Sequence, residues 1–280
     1  MRRFIAVLFG LSVLAIDASA APLWIERQFI PEPELIDPRF AEADDQSVEQ
    51  IEHGVWAAFL EAFVVESPDG VNRVAYARVD AKAREALKRY IDALQAAAPS
   101  ALSRDEQLAF WINLYNAATV DLILDAYPVS SIRKLDDPWA RKLLTIDGVQ
   151  LSLGDIEHHV VRALFDDPRI HYALNCASIG CTNLATSPYT GDALEEMLDA
   201  AARDYVNHPR GVAFDDDGDV DVSKIYGWYR DDFGGDEEAA LEHIRTYAEP
   251  DLKARLEGVD DIDDYDYDWA LNDAAPVSED

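Results

Sequence analysis

The chain has 280 residues, 49% of them hydrophobic, with 55 Asp and Glu against 24 Lys and Arg and a formal net charge of −31. That length and apolar content suit one generous domain, or two small ones, with a substantial core. Acids spread along the whole chain argue against nucleic acid and anionic membrane surfaces as partners, and fit a solvated acidic surface.

Arg2 and Arg3, the apolar run from Phe4 to Ile16 and the small residues Ala18-Ser19-Ala20 read as a signal peptide cleaved after Ala20. The run is too short to span the roughly 30 Å of a bilayer core, and no later stretch is long enough. A periplasmic or secreted protein with no integral membrane segment after cleavage is expected. Residues 21–46, rich in Pro and acid, read as an extended N-terminal arm. Residues 47–272 read as a single globular domain and residues 273–280 as an acidic tail.

From Ser47, the spacing of Val48, Ile51, Val55, Ala58 and Phe59 predicts a helix. A short irregular stretch, Val64–Asn72, and a second helix, Ala81–Ala98, follow. Ser103 and Glu106 form a capping-box pattern ahead of the most apolar helix of the chain, which Pro128 stops. Because this helix is apolar nearly all round it is expected at the centre. Asn113 and Asn116, one turn apart within it, must be hydrogen-bonded if buried, tying the helix to a neighbouring loop or lining a binding pocket. Asp147-Gly148 marks a hairpin over residues 143–151. A helix over Leu153–Phe165 comes next, then a strand, RIHYALN, entering the small-residue loop CASIGC. A helix over Asp192–Val206, a second Asp-Gly hairpin, helical stretches at 224–233 and 236–248, and an acid-rich end complete the pattern. Helices with short antiparallel pairs give an α+β, helix-rich fold.

The only cysteines, Cys176 and Cys181, admit three readings. An even pair in an oxidising compartment suits a disulfide. A metal site would need ligands from elsewhere, since the spacing is wrong for a zinc knuckle. A cysteine entering a loop of small residues has backbone N–H groups nearby that favour a nucleophile and an oxyanion. A thiol–disulfide redox protein is disfavoured by the absence of C-x-x-C. His171, five residues before Cys176 on the expected strand, would face the opposite side. On the helix before it, Leu153, Ile156, Val160 and Leu164 form an apolar stripe with Glu157 inside it, a buried carboxylate that demands partners. His158 points away from that stripe, near Arg162. Adjacent residues on a helix diverge by about 100°, so Glu157 and His158 cannot both face Cys176. No cofactor is called for; calcium is the minor candidate, at Asp215–Asp219 or Asp260–Asp268. The first of these departs from the EF-hand pattern and suits a hairpin turn.

LAFWINLYNAATVDLIL, LSLGDIEHHVVRALF, DPRIHYALNCASIGCTNL, VDVSKIYGWYRDDFG and YDYDWALN together resemble the domain-of-unknown-function family 547, over roughly residues 50–272. The shared pattern, I-E-H-x-x-x-R followed by A-L-x-C, falls on Ile156, Glu157, His158, Arg162, Ala173, Leu174 and Cys176. Plant members lack counterparts of Cys181 and His171, so the resemblance ranks Cys176, His158 and Glu157 above those two. It also suggests papain- or transglutaminase-like cysteine hydrolases, and exported bacterial members.

The expected activity is a cysteine-dependent hydrolase or acyltransferase acting on a peptide or isopeptide bond of a protein or peptide substrate. Cys176 would attack, His158 would take its proton, Glu157 would orient the imidazole, and N–H groups around Ala177 would hold the oxyanion. His171 is a further catalytic candidate; Asn113, Asn116, Arg162 and Cys181 are candidate binding residues. The alternative is a non-enzymatic exported binding or scaffold domain held by a Cys176–Cys181 disulfide.

Overall fold

The computed structural model describes residues 22–274, so the expected signal peptide and residues 275–280 of the tail lie outside the described residues. The N-terminal arm is not simply extended. It opens with a helical turn, α1 (Leu23–Glu26), and a 3-10 turn at Arg27–Phe29. The Glu26 carboxylate ties it down, accepting from Lys224 Nζ at 3.1 Å and Trp228 Nε1 at 2.7 Å.

Helix α2 (Gly54–Phe63) begins seven residues later than the apolar spacing predicts. The backbone N–H of Ile51 is taken by the Glu106 carboxylate at 2.8 Å, and Val48 is 95% exposed, so residues 47–53 stay irregular. The stretch after α2, expected to be irregular, contains a hairpin of β1 (Val64–Glu66) and β2 (Asn72–Val74), with Val64 opposite Val74. Helix α3 (Ala81–Gln95) is capped by Asp80, whose side chain accepts from the Ala83 N–H.

Helix α4 (Arg104–Ala126) is the central one: Phe110, Trp111, Ile112, Leu114 and Ile123 have no solvent exposure. Burial of side chains of this size is worth about 1.5–3 kcal/mol each, which is why α4 can be apolar on every side. Its N-terminus uses half of the expected capping box. Ser103 accepts from the Glu106 N–H, but the Glu106 carboxylate turns away to bind Ile51 and Gly191 N–H groups. A complete capping box forms instead at Ser152 and Asp155.

The Asp147-Gly148 hairpin joins β3 (Leu144–Ile146) to β4 (Val149–Leu151), with left-handed φ of 49° and 80° at its two turn residues, as such a tight turn requires. The expected helix over 153–165 is built in three parts: α5 (Leu153–Ile156), a π-helical turn over Glu157–Val161, and α6 (Arg162–Leu164). The expected strand RIHYALN is not a strand. Asp167 accepts from the Arg169 N–H and Pro168 takes the first position, so Pro168–Tyr172 forms a 3-10 turn. Helix α7 (Leu194–Val206) follows.

The second Asp-Gly hairpin pairs β5 (Val212–Phe214) with β6 (Val220–Ser223), and Asp215 Oδ1 accepts from the N–H groups of Asp217, Gly218 and Asp219, which accounts for its acids. Helices α8 (Lys224–Trp228), α9 (Glu237–Tyr247) and α10 (Pro250–Arg255) lead to β7 (Asp264–Asp266), which pairs with β6 in parallel. The fold is α+β and helix-rich, with small, mostly antiparallel sheets.

Two apolar clusters result. One surrounds α4; the other, rich in tyrosine, gathers Tyr172, Tyr205 and Tyr226 with Phe233 under α9. Among the described residues no helix is long and apolar enough to cross a membrane.

Candidate active site

A cleft of about 560 Å³ draws its lining from both clusters, including Leu174 from the first and Ile225 from the second. The arm supplies one wall through Ile25, Glu26, Phe29, Ile30 and Pro31, and Trp139, Trp228 and Trp269 supply others. Of the eight candidates, Glu157, His158, His171, Cys176 and Cys181 all line it; Asn113, Asn116 and Arg162 do not.

The two asparagines tie α4 to loops. Asn113 donates to Tyr189 O at 2.7 Å and accepts from the Tyr189 N–H at 3.1 Å. Asn116 does the same for Ala173 O and the Asn175 N–H. Backbone groups buried beside α4 are satisfied in this way, and Asn116 thereby fixes the start of the cysteine loop.

The π-helical turn is the local reason that Glu157, His158 and His159 all reach one cleft. A regular helix would divide them between faces, whereas a widened turn inside a helix re-aims its side chains, a device common at functional sites. Glu157 is buried and gripped by two phenols: Tyr115 donates to Oε2 at 2.9 Å and Tyr229 donates a short bond to Oε1. Burial pushes its carboxyl up, but the nearby His158, the Tyr229 hydroxyl, His171 and the Tyr115 hydroxyl outweigh this and hold it below the ordinary value.

The two imidazoles differ in which nitrogen carries a proton. Arg162 Nη1 lies 3.3 Å from His158 Nδ1, and a guanidinium can only donate, so Nδ1 accepts and the neutral ring keeps its proton on Nε2. Burial, the largest influence, and the Arg162 charge lower the His158 pKa. His171 Nε2 lies 2.7 Å from Asp232 Oδ2, and a carboxylate can only accept, so Nε2 donates and, in the neutral ring, Nδ1 is the nitrogen with the free lone pair. Arg162 holds the same Asp232 by a two-pronged pair at 2.6 and 2.8 Å. Burial opposes ionisation of Asp232, yet Arg162 and His171 keep its carboxyl far below the usual range. The His171 ring stacks on Tyr229 with centroids 4.0 Å apart. The expected opposition of His171 and Cys176 across a strand is void, since no strand exists there and both line the cleft.

The cysteine loop is clamped by the C-terminal segment. Gly180 N–H donates to Asp268 O, Ile179 N–H to Ala270 O, and Asn272 N–H to Ala177 O. A side chain at Gly180 would meet Asp268 N at 2.6 Å, so only glycine allows this approach. Ala177 sits at a left-handed φ of 62°. Its N–H donates to Asn175 Oδ1 at 3.0 Å, which removes it from the expected oxyanion site. Hydroxyls surround the sulfur instead: Ser178 Oγ and Tyr267 Oη each lie 3.1 Å from Cys176 Sγ and 2.8 Å from one another.

Both cysteines are free thiols in this structure, and the Cys176 N–H donates to Cys181 Sγ at 3.1 Å. The neighbouring Cys181 thiol, together with burial, pushes the Cys176 thiol up. Burial also opposes ionisation of Cys181, but hydrogen bonds from the Cys176 thiol and N–H and from Tyr267 draw it down. The two thiols titrate as a pair. Neither sulfur has an imidazole as a hydrogen-bond partner among the described residues.

Residues 99–206 match the family model described as "Protein of unknown function, DUF547". That segment belongs to the family. It runs from the turn before α4 to the end of α7 and contains the π-helical turn and the cysteine loop, though it is shorter than the 50–272 that the motifs suggest. Asp232, Tyr229, Tyr267, Trp228 and Trp269 lie beyond the matched family segment, so much of the cleft comes from outside it. No curated protein and no solved structure matches the chain. Among the described residues no group of three or more His, Cys, Asp or Glu side chains could hold a metal ion.

Asp232, Tyr229 and Tyr267 escape a reading of the sequence. YRDDF and YDYDW stand out only as motifs, because what joins them to Cys176 and Glu157 is tertiary contact.

Proposed function

We propose that this chain is an exported cysteine-dependent hydrolase or acyltransferase acting on a peptide or isopeptide carbonyl. The observation that carries the proposal is a loop thiol and a carboxylate-oriented imidazole, Asp232–His171, lining the same cleft. Cys176, the more exposed thiol, attacks the carbonyl carbon as its own Sγ–H bond breaks and the proton passes to Nδ1 of His171. The C–N bond breaks, His171 returns the proton to the departing amine, and a thioester remains on Cys176. Water or a second amine then attacks the thioester and regenerates the thiol. Asp232 keeps His171 in the tautomer this requires. The base is therefore His171 rather than His158, whose lone pair is directed at Arg162. With the Ala177 N–H already bonded to Asn175, the Tyr267 and Ser178 hydroxyls, each 3.1 Å from Cys176 Sγ, are the donors that would serve the oxyanion.

A second reading, an exported binding domain closed by a Cys176–Cys181 disulfide, is favoured by the closeness of the two cysteines. One experiment separates the two. Protein isolated from the periplasm is treated with iodoacetamide at pH 7 and mapped by mass spectrometry. The enzyme reading expects a fast single adduct on Cys176 that slows at least about tenfold in Asp232→Asn and His171→Ala. Absence of free thiol, or alkylation indifferent to both variants, overturns it.

A further inference from the structure

The proposed chemistry leaves the character of the substrate open, and the charges lining the cleft narrow it. Three carboxylates line the cleft, and each is already engaged. Glu26 holds Lys224 and Trp228, Glu157 holds two tyrosines, and Asp155 pairs with Lys142 and accepts from Ser152 Oγ at 2.7 Å. The histidines are engaged too: His158 with Arg162, His159 with Glu34 O, and His171 with Asp232.

Arg133 is the exception. It lines the same cleft, yet its guanidinium has no carboxylate or carbonyl partner among the described residues. In a chain where acids outnumber bases 55 to 24, carboxylates are in excess, and a cleft-lining cation left unpaired is conspicuous. The guanidinium is nevertheless held in place, with its carbon 5.0 Å from the centroid of the Trp269 ring. Ile132, fully buried, anchors the 3-10 turn that carries it, and Ser131 caps that turn. Trp269 in turn contacts Trp139, Trp228 and Tyr267 at centroid distances of 5.9, 5.5 and 4.7 Å. The result is a planar two-pronged donor laid against an aromatic wall, the arrangement that recognises a carboxylate attached to an apolar or aromatic body.

We infer that the cleft takes a substrate bearing a carboxylate beside an apolar or aromatic group, and that Arg133 is the residue that selects it. This rests on the cleft being the substrate site, as proposed above, but its test requires no turnover. The carboxylate can be a peptide C-terminus or an acidic side chain; both present the same planar acceptor to Arg133.

The test is binding, followed by quenching of tryptophan fluorescence or by calorimetry. N-acetylphenylalanine and N-acetylaspartyl-phenylalaninamide represent the two carboxylate sources, and N-acetylphenylalaninamide is the neutral comparison. At least one acid is expected to bind about tenfold or more tightly than the amide. Arg133→Gln is expected to abolish that preference, Arg133→Lys to keep part of it, and Lys134→Gln to leave it unchanged. Equal binding of acids and amide, no binding of either acid, or a preference that survives in Arg133→Gln overturns the inference. Because the unaltered protein already discriminates in this assay, a misfolded variant cannot hide the answer. Selective binding in a protein whose thiols do not alkylate would retain Arg133 and discard the hydrolase; fast Cys176 alkylation without selectivity would do the reverse.

Discussion

Asn113 and Asn116 on α4 and the acid and imidazole groups of the cleft are all buried and hydrogen-bonded, but by different partners. Asn113 and Asn116 bind backbone atoms of the loops beside them. Glu157, His171 and Asp232 bind other side chains, and those side chains titrate, stack or pair with charges. Backbone partners cannot be changed by protonation or moved without moving the chain, so the asparagines hold the fold. Side-chain partners can exchange protons, so the cleft groups are equipped for chemistry. Burial alone does not distinguish structure from function; the identity of the partner does.

The largest expected effect tests the first half of that contrast. Asn116→Ala strands the Asn175 N–H and the Ala173 carbonyl in a buried setting, and a loss on the order of 3 kcal/mol is expected in urea unfolding. Cys176→Ala, in the cleft, is expected to lose less than about 1 kcal/mol while losing its alkylation. The reverse order would break the comparison.

Next comes pH, to which the backbone bonds of Asn116 are blind. His158 is held below its ordinary value of 6.5, so the unfolded chain takes up this proton before the folded one does. Its contribution to stability is complete above pH 6.5 and is lost as pH falls through the folded pKa. Glu157 is also held low, from 4.5, so its contribution is present above that value and disappears as pH falls further. Tyr229→Phe removes one of the bonds holding the carboxylate, so the folded pKa moves back toward 4.5, and the acid limb of a stability–pH curve is expected to shrink and to level off at higher pH by a few tenths of a unit or more. An unmoved acid limb would show that Tyr229 does not govern Glu157.

The smallest effect is at the start of α4. Ser103→Ala should cost about 1 kcal/mol in the same unfolding measurement, because only the Ser103 half of the cap is formed. A much larger loss would mean that Ser103 also supports the Glu106 staple to Ile51 and Gly191.

Much of the scaffold is legible in the sequence because its signals are local. The apolar surround of α4, its stop before Pro128, and both Asp-Gly hairpins depend on neighbours in the chain. The early residues of the first expected helix are misread because a carboxylate 55 positions away captures the Ile51 N–H. RIHYALN reads as a strand because its apolar residues are buried, but Asp167 and Pro168 start a 3-10 turn and burial there has no period of two. In the site, Glu157 announces itself as an acid in an apolar stripe, and Cys176 as one of two cysteines. The choice between His158 and His171 depends on Arg162 and Asp232, and no spacing in the chain encodes that contact.

The arm has a further consequence for the cleft. Neither α1 nor the turn after it buries a side chain, and the segment is held by polar ties from Glu26 to Lys224 and Trp228, from Arg27 to Asp231, and from Pro31 O to Arg162. One wall of the cleft is thus held by polar ties and not by buried side chains of its own, unlike the core around α4, and segments held in that way open most readily. Arg162 links this movable wall to the acid that orients His171, since the same guanidinium holds both Pro31 O and Asp232. Any shift of the arm at Pro31 is thereby passed to the Asp232–His171 pair through a single side chain.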